Sequence, residues 1–216
     1  MFNPSILPKM KLQFGELQIT PQVVNRLHEL DFTTDELLDA VNDHMLGHLD
    51  DAPAVYCGTY AKYNGGSLRG LWINLSSFDD YKEFINFCKA IHADETDPEL
   101  MFQDYQGFPR KYYYESCMDE DTFYQIYDYV QMCKLHGTDA VDDYLDLYDN
   151  LENFEDAFCG YWESEEDFAR HIVDECYDID RTMGSLSQYF DYEAFARDLF
   201  MYDYTMGANG NVFRPC

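Results

Sequence analysis

Along residues 118–180 apolar side chains return every three or four positions, the stripe of amphipathic helices with one face against a core. DEDTFYQIYDYVQMCKL places Phe123, Ile126, Tyr127, Val130 and Cys133 on such a stripe. Val141, Leu145, Tyr148 and Leu151 form a second, and Phe168, Ile172, Val173 and Cys176 a third. No Pro lies between Pro109 and Pro215, so nothing in the backbone interrupts these helices. Three helices packed by their stripes, polar faces outward, predict a central helical bundle.

On either side the pattern changes. AVYCGTYAKY and SLRGLWINL, rich in Val, Tyr, Trp, Ile and Leu, flank Asn64-Gly65-Gly66, and an Asn-Gly step between such runs predicts a β-hairpin. Ser76 or Ser77 is the expected cap of a helix over SFDDYKEFINFCKAI, with Phe78, Tyr81, Ile85, Cys88 and Ile91 on one face. ELMFQDYQGF and KYYYESC read as extended, which makes residues 54–117 a small α+β unit. The last segment predicts a short helix over Asp191 to Leu199, then two strands joined at Asn209-Gly210. At the other end, KLQFGELQIT suggests a short extended piece, Thr20 caps a helix whose first residue is Pro21, and Thr33 or Thr34 starts another. LDDAPA then reads as a linker around Asp50 to Ala54. The predicted fold class is α+β: an elongated chain of small α+β units flanking an acidic helical bundle, divided into 1–52, 53–117, 118–180 and 181–216.

Composition agrees with a folded chain, since 216 residues with 46% apolar and 17% aromatic content suffice for packed cores. The formal charge of −28 does not follow from folding, because self-repulsion on that scale opposes compaction. Disordered acidic chains are poor in aromatics, whereas this one has 19 Tyr and 16 Phe. Only 14 Lys and Arg are present, which disfavours direct binding of nucleic acid or of an anionic membrane surface. Seven Cys without a CxxC pair read as thiols in a reducing compartment. MFNPSILPKMKLQFGEL lacks the regions of a signal peptide, so a cytoplasmic location is expected.

Candidate chemistry is sparse. His44 and His48 stand four apart as metal ligands on a helix would, but no Glu follows His44 as in HExxH, and Gly47 weakens the helix. Asp178, Asp180 and Gly184 resemble a calcium loop, yet Met183 stands where its Gly belongs and Tyr189 where its Glu belongs. A catalytic Cys would need a His partner; His92, His136 and His171 are available on paper and no local signature selects one. Without a phosphate-loop or dinucleotide motif, neither enzyme activity nor a cofactor is expected.

The acids are the feature that asks for a function. Gly137 to Ala169 holds twelve Asp and Glu and no Lys, Arg or His. At about 1.5 Å of helix per residue that is about one charge per 4 Å of axis. Duplex DNA carries one per roughly 1.7 Å. Two or three such helices side by side approach the charge density of DNA on a scaffold of similar width, attractive to any groove built from Lys and Arg to hold phosphates. The candidate contact residues are Asp119, Glu120, Asp121, Asp128, Asp139, Asp142, Asp143, Asp146, Asp149, Glu152, Glu155, Asp156, Glu163, Glu165, Glu166, Asp167, Asp174, Glu175, Asp178 and Asp180. A protein decoy for nucleic acid is the leading reading. The competitors are a general acidic binding module or chaperone for basic DNA-binding proteins, and an undetected hydrolase or metal-dependent enzyme.

Two motifs carry a resemblance. AKYNGGSLRGLWINL presents Lys62, Tyr63, Asn64, Gly66, Leu68, Gly70 and Trp72, and YFDYEAFARDL presents Tyr189, Asp191, Tyr192, Arg197, Asp198 and Leu199. In these, and in its acidic middle, the chain from about 54 to 215 resembles the ArdA-type antirestriction proteins of plasmids and conjugative transposons. The resemblance implies an elongated, curved homodimer that imitates bent B-form DNA. It also implies occupation of the DNA-binding groove of type I restriction-modification enzymes, on their specificity and modification subunits. The motif residues are expected to be scaffold and the carboxylates contacts. The first 50 residues depart from the family pattern; FGELQITPQVV followed by HMLGH faintly resembles a small plasmid-encoded module.

Overall fold

The computed structural model describes residues 19–46, 49 and 52–215, with the backbone alone over 42–46. The extended segment expected before Thr20, the signal-peptide reading, the side chains of His44 and His48, and part of the linker lie outside the described residues. Contacts divide the chain into two compact units, Met1–Val130 and Gln131–Cys216.

The first unit begins with two helices, α1 (Pro21–Glu29) and α2 (Thr34–Leu46). Thr20 caps α1 as expected, its hydroxyl accepting from the Val23 N–H at 3.4 Å with Pro21 at the first position. Thr33 heads α2 in a capping box with Glu36, which returns a carboxylate to the Thr33 hydroxyl at 2.7 Å. A three-stranded antiparallel sheet follows, in the order β2-β1-β3, from β1 (Ala54–Thr59), β2 (Leu71–Asn74) and β3 (Leu100–Gln106). On one face lies α4 (Tyr81–Ile91), whose Phe84 stacks on Phe102 of β3 at 5.9 Å and on Phe123 at 5.6 Å. The buried face of α4 is Phe84, Phe87, Cys88, Ala90 and Ile91, so Ile85 is not among its buried residues. The α1 and α2 helices join this core through Leu27, Leu37 and Phe32, whose ring meets Phe87 at 5.3 Å.

Three local expectations are corrected here. The β1 and β2 strands do pair antiparallel, but Asn64-Gly65 is not their turn: residues 60–64 form the short helix α3 (Tyr60–Asn64), capped by Thr59 and ended where Gly66 takes φ +77°. The α4 helix starts from Asp80, whose carboxylate accepts from the Glu83 N–H at 2.7 Å, because Leu75–Ser77 closes a separate 3-10 turn under Asn74. KYYYESC forms no strand; Arg110–Tyr112 is a 3-10 turn after Pro109.

The boundary between the units falls within α5 (Glu120–His136), where Phe123, Ile126 and Tyr129 are buried and Tyr127 is half exposed. The second unit continues with α6 (Thr138–Leu147), α7 (Phe154–Ala157), β4 (Phe158–Tyr161), α8 (Glu165–Cys176), α9 (Ile179–Met183), α10 (Tyr192–Tyr202), β5 (Thr205–Met206) and β6 (Asn211–Phe213). The predicted stripes bury Val141, Phe168 and Val173, while Cys176 is exposed. The turn at Asn209-Gly210 joins β5 to β6 as expected, pairing Thr205 with Phe213 and Met206 with Val212. The strand β4 was not expected; it pairs with β6, giving the order β4-β6-β5, so residues 158–161 and 205–213 share one sheet. A four-residue run such as FCGY has no period of its own and becomes a strand only against a distant partner. Phe154, Phe158, Tyr144 and Phe213 form its aromatic core, with Phe154 and Phe158 stacked at 5.3 Å and Tyr144 5.3 Å from Phe213.

Candidate interaction surface

The second unit carries twenty Asp and Glu against five Lys and Arg. Its predicted contact residues occupy α6 (Asp139, Asp142, Asp143, Asp146), the following loop (Asp149, Glu152), α7 (Glu155, Asp156), the approach to α8 (Glu163) and α8 itself (Glu165, Glu166, Asp167, Asp174, Glu175). Asp178 caps α9, accepting from the Arg181 N–H at 3.0 Å, and Asp180 lies within that helix. Nearly all are exposed, with Asp142 and Glu166 partly covered. Asp119, Glu120, Asp121 and Asp128 are also exposed and belong to the first unit; Asp119 caps α5, and hydrogen bonds from Thr122 hold its carboxyl below the usual carboxylate range.

Asp143 is the exception and is withdrawn from the contact set. Only 2% exposed, it accepts from both nitrogens of Asn209, from the Asn211 side chain at 2.8 Å and from the Asn211 N–H at 3.4 Å. It packs so closely that a Cβ on Gly207 would meet its carboxyl carbon at 2.3 Å. The carboxylate is the internal pin of the β5–β6 turn, a role that neutral donors can satisfy. Conversely, Glu193, Asp198 and Asp203 are exposed acids of the same unit that a stripe-based reading of 118–180 left out as contacts; the charge census of 181–216 would have found them.

A helix end repels charge of its own sign, so acids are favoured in first turns and disfavoured in last ones. The α8 helix has Glu165, Glu166 and Asp167 in its first turn, with Ser164 as cap, which is favourable. Its last turn carries Asp174 and Glu175 and no cation, and α6 and α10 likewise lack a basic residue in their last turns. Two of the unit's cations are engaged locally: Arg170 reaches Glu166 at 2.5 Å and lies 4.0 Å over the Tyr192 ring, and Arg197 pairs with Glu193 at 3.7 Å; the His136 ring also meets Glu155 at 2.8 Å.

Several of the motif residues make local structural contacts, although most of them are exposed. Lys62 donates to Glu95 at 2.6 Å and Asp94 at 2.9 Å, and faces His92 Nδ1 at 3.2 Å. An ammonium only donates, so Nδ1 accepts and the His92 Nε2 proton is directed to the Cys57 carbonyl at 3.2 Å. Gly70 lets β2 approach β1: a Cβ there would meet the Cys57 oxygen at 2.4 Å. Asn64 closes α3, Trp72 sits edge-on to Tyr56 at 5.7 Å, and Tyr63 is half exposed. In the second motif Asp191 caps α10 through the Ala194 N–H at 2.9 Å, and Arg197 pairs with Glu193 at 3.7 Å. Tyr189, 75% exposed, is not framework. Of the thiol–histidine combinations, His92 does stand beside Cys57 and Cys88. Burial raises the Cys57 thiol, but Cys88, His92 and the Lys62 charge outweigh it and bring it to about 6. All three residues are 0% exposed, so this group is closed to a substrate. No group of His, Cys, Asp and Glu suited to a metal occurs among the described residues.

A family model described as Antirestriction protein (ArdA) matches residues 55–214. The chain belongs to the ArdA antirestriction protein family. As an ArdA protein it is an antirestriction protein, and restriction enzymes are its partners. No curated protein matches the chain. The match begins at the first strand of the first sheet, so α1 and α2 are an addition to the ArdA region that nevertheless shares its hydrophobic core. No helix among the described residues of this ArdA chain is long and apolar enough to cross a membrane.

Proposed function

We propose that the acidic faces of this ArdA protein imitate the phosphate strands of bent B-form DNA and occupy the DNA-binding groove of a type I restriction-modification enzyme, on its specificity and modification subunits. Inhibition is by occupancy, with no bond made or broken. The observation that carries the reading is the last turn of α8, where Asp174 and Glu175 stand against the helix dipole with no cation to relieve them. Charge placed at a cost to its own helix points to a partner outside the fold, and a groove of Lys and Arg built for phosphates is the complementary surface.

A homodimer belongs to the same proposal. Tyr177 and Tyr202, 57% and 78% exposed, line a groove with Ile172, Leu199, Asp203 and Arg214 at the α8–α10 end of the second unit, a mixed aromatic and charged face suited to a second copy.

The test is competition. The protein displaces duplex DNA from a type I methyltransferase with an affinity that falls steeply as salt rises. No displacement, or displacement indifferent to salt, sinks the reading. Equal affinity for an unrelated basic protein of the same charge would make the chain a general acidic binding module instead.

A further inference from the structure

On the face of the first sheet that carries Tyr56 and Trp72, the short α3 helix contributes Tyr63, and the side chains there are not random. The register sets Trp72, Tyr56 and Asp104 side by side on β2, β1 and β3. A bulge between Tyr56 and Cys57 inserts Gln103 as an extra residue of β3, and it packs on Gly58, whose added Cβ would stand 3.1 Å from it. Over this row arches the loop that follows α3. The Tyr56 hydroxyl ties it down by donating to the Leu68 carbonyl at 2.7 Å; burial raises that phenol to about 12, so the donor keeps its proton. The result is a cavity of about 320 Å³ lined by Tyr56, Tyr63, Leu68, Trp72, Asp104 and Glu115 among others.

Tyr63 and Leu68, both 49% exposed, would be poor choices for scaffold alone. Three aromatic rings and two carboxylates around one small cavity are the complement of a flat cation, because ring faces attract positive charge and carboxylates pair with a guanidinium fork. Asp104 is oriented by the Tyr105 N–H, 2.8 Å from its Oδ1, and Glu115 is held beside it because its carbonyl accepts from the Phe102 N–H at 2.8 Å. A cavity near the lower end of ligand-site volumes, about 300 Å³, suits one side chain and not a cofactor. We propose that this pocket receives an arginine side chain of the partner protein, a specific anchor beside the diffuse attraction of the acidic helices. Arginine is favoured over lysine because the planar guanidinium can stack on Tyr and Trp while pairing with a carboxylate. The proposal rests on the reading that the partner presents a basic protein surface.

The experiment is a titration of the intact protein with arginine amide, followed by NMR at the indole N–H signals of its two Trp. Trp162 donates its indole N–H to the Cys159 carbonyl at 3.0 Å in the second unit and serves as internal control. The Trp72 signal is expected to shift saturably while that of Trp162 stays in place, and citrulline amide, which keeps the α-ammonium and the shape but has a neutral urea in place of the guanidinium, should leave both unmoved. Glu115→Gln and Tyr63→Ala should each weaken the saturation at least fivefold. An equal response to citrulline, a response at both Trp signals, or an unchanged response in Glu115→Gln overturns the pocket. Since no restriction enzyme is present, a failure here is distinct from a failure of DNA displacement.

Discussion

The two units finish several of their helices differently. In the first, α1 ends with Arg26, α3 with Lys62 and α4 with Lys89, cations set against the negative pole of each helix. In the second, α5 ends with Lys134 and α9 with Arg181, but α6, α8 and α10 end without a cation, α8 carries Asp174 and Glu175 in its last turn, and Asp203 closes α10. Both units are acidic, with twenty-two Asp and Glu in residues 1–130 and twenty in residues 131–216, so the second is denser in acids as well as different in their placement. Where charge and fold agree, as in the first unit, acidity can be read as a solvated face. Where they conflict, as at the end of α8, helix electrostatics does not account for the acids, and the proposed partner does.

The comparison breaks hardest at Asp143, the candidate acid of the second unit that is buried in the fold. Asp143→Ala strands the side chains of Asn209 and Asn211 and should destabilise the protein by about 3 kcal/mol in urea denaturation. A loss under about 1 kcal/mol would show that the turn does not depend on it. A smaller effect of opposite sign is expected at the end of α8. Asp174→Asn with Glu175→Gln removes repulsion from the helix terminus and should stabilise by about 0.5 kcal/mol each. The paired variant should therefore melt roughly 2–4 °C higher, and a lower Tm would remove the argument from conflict. The smallest effect is the mirror case in the first unit, where Lys89→Gln should lower stability by about 0.5 kcal/mol, and a rise would erase the difference between the units.

How far the sequence alone reached can be judged from particular residues. The long helices were legible because each has its own period and cap: Thr20, Thr33 and the stripes through Phe123 and Phe168 are local signals. What it did not show is held by contacts between distant residues. Lys62 is fixed by Glu95, 33 positions away, and with it the short helix that replaces the expected Asn-Gly turn. Asp143 is indistinguishable in sequence from Asp142 or Asp146, and only the turn 66 positions later makes it internal. The aromatic pocket requires the register of three strands and a bulge, neither of which a hydrophobic pattern encodes. Charge density was readable at once, whereas the placement of charge against the helix ends needed their boundaries.

The central claim is that the exposed acids of the second unit, acting together, stand in for phosphates. It is tested most directly by the salt dependence of competition with duplex DNA for a type I methyltransferase, comparing the natural protein with a variant carrying Asp146→Asn, Asp149→Asn, Glu152→Gln and Glu163→Gln. Single changes such as Asp146→Asn should cost at most about 1 kcal/mol. The fourfold variant should inhibit at least tenfold less well at low salt, with a shallower fall of log affinity against log salt, because fewer ion pairs form. Unchanged inhibition and an unchanged slope in the fourfold variant, or abolition by Asp146→Asn alone, would contradict a distributed imitation of DNA.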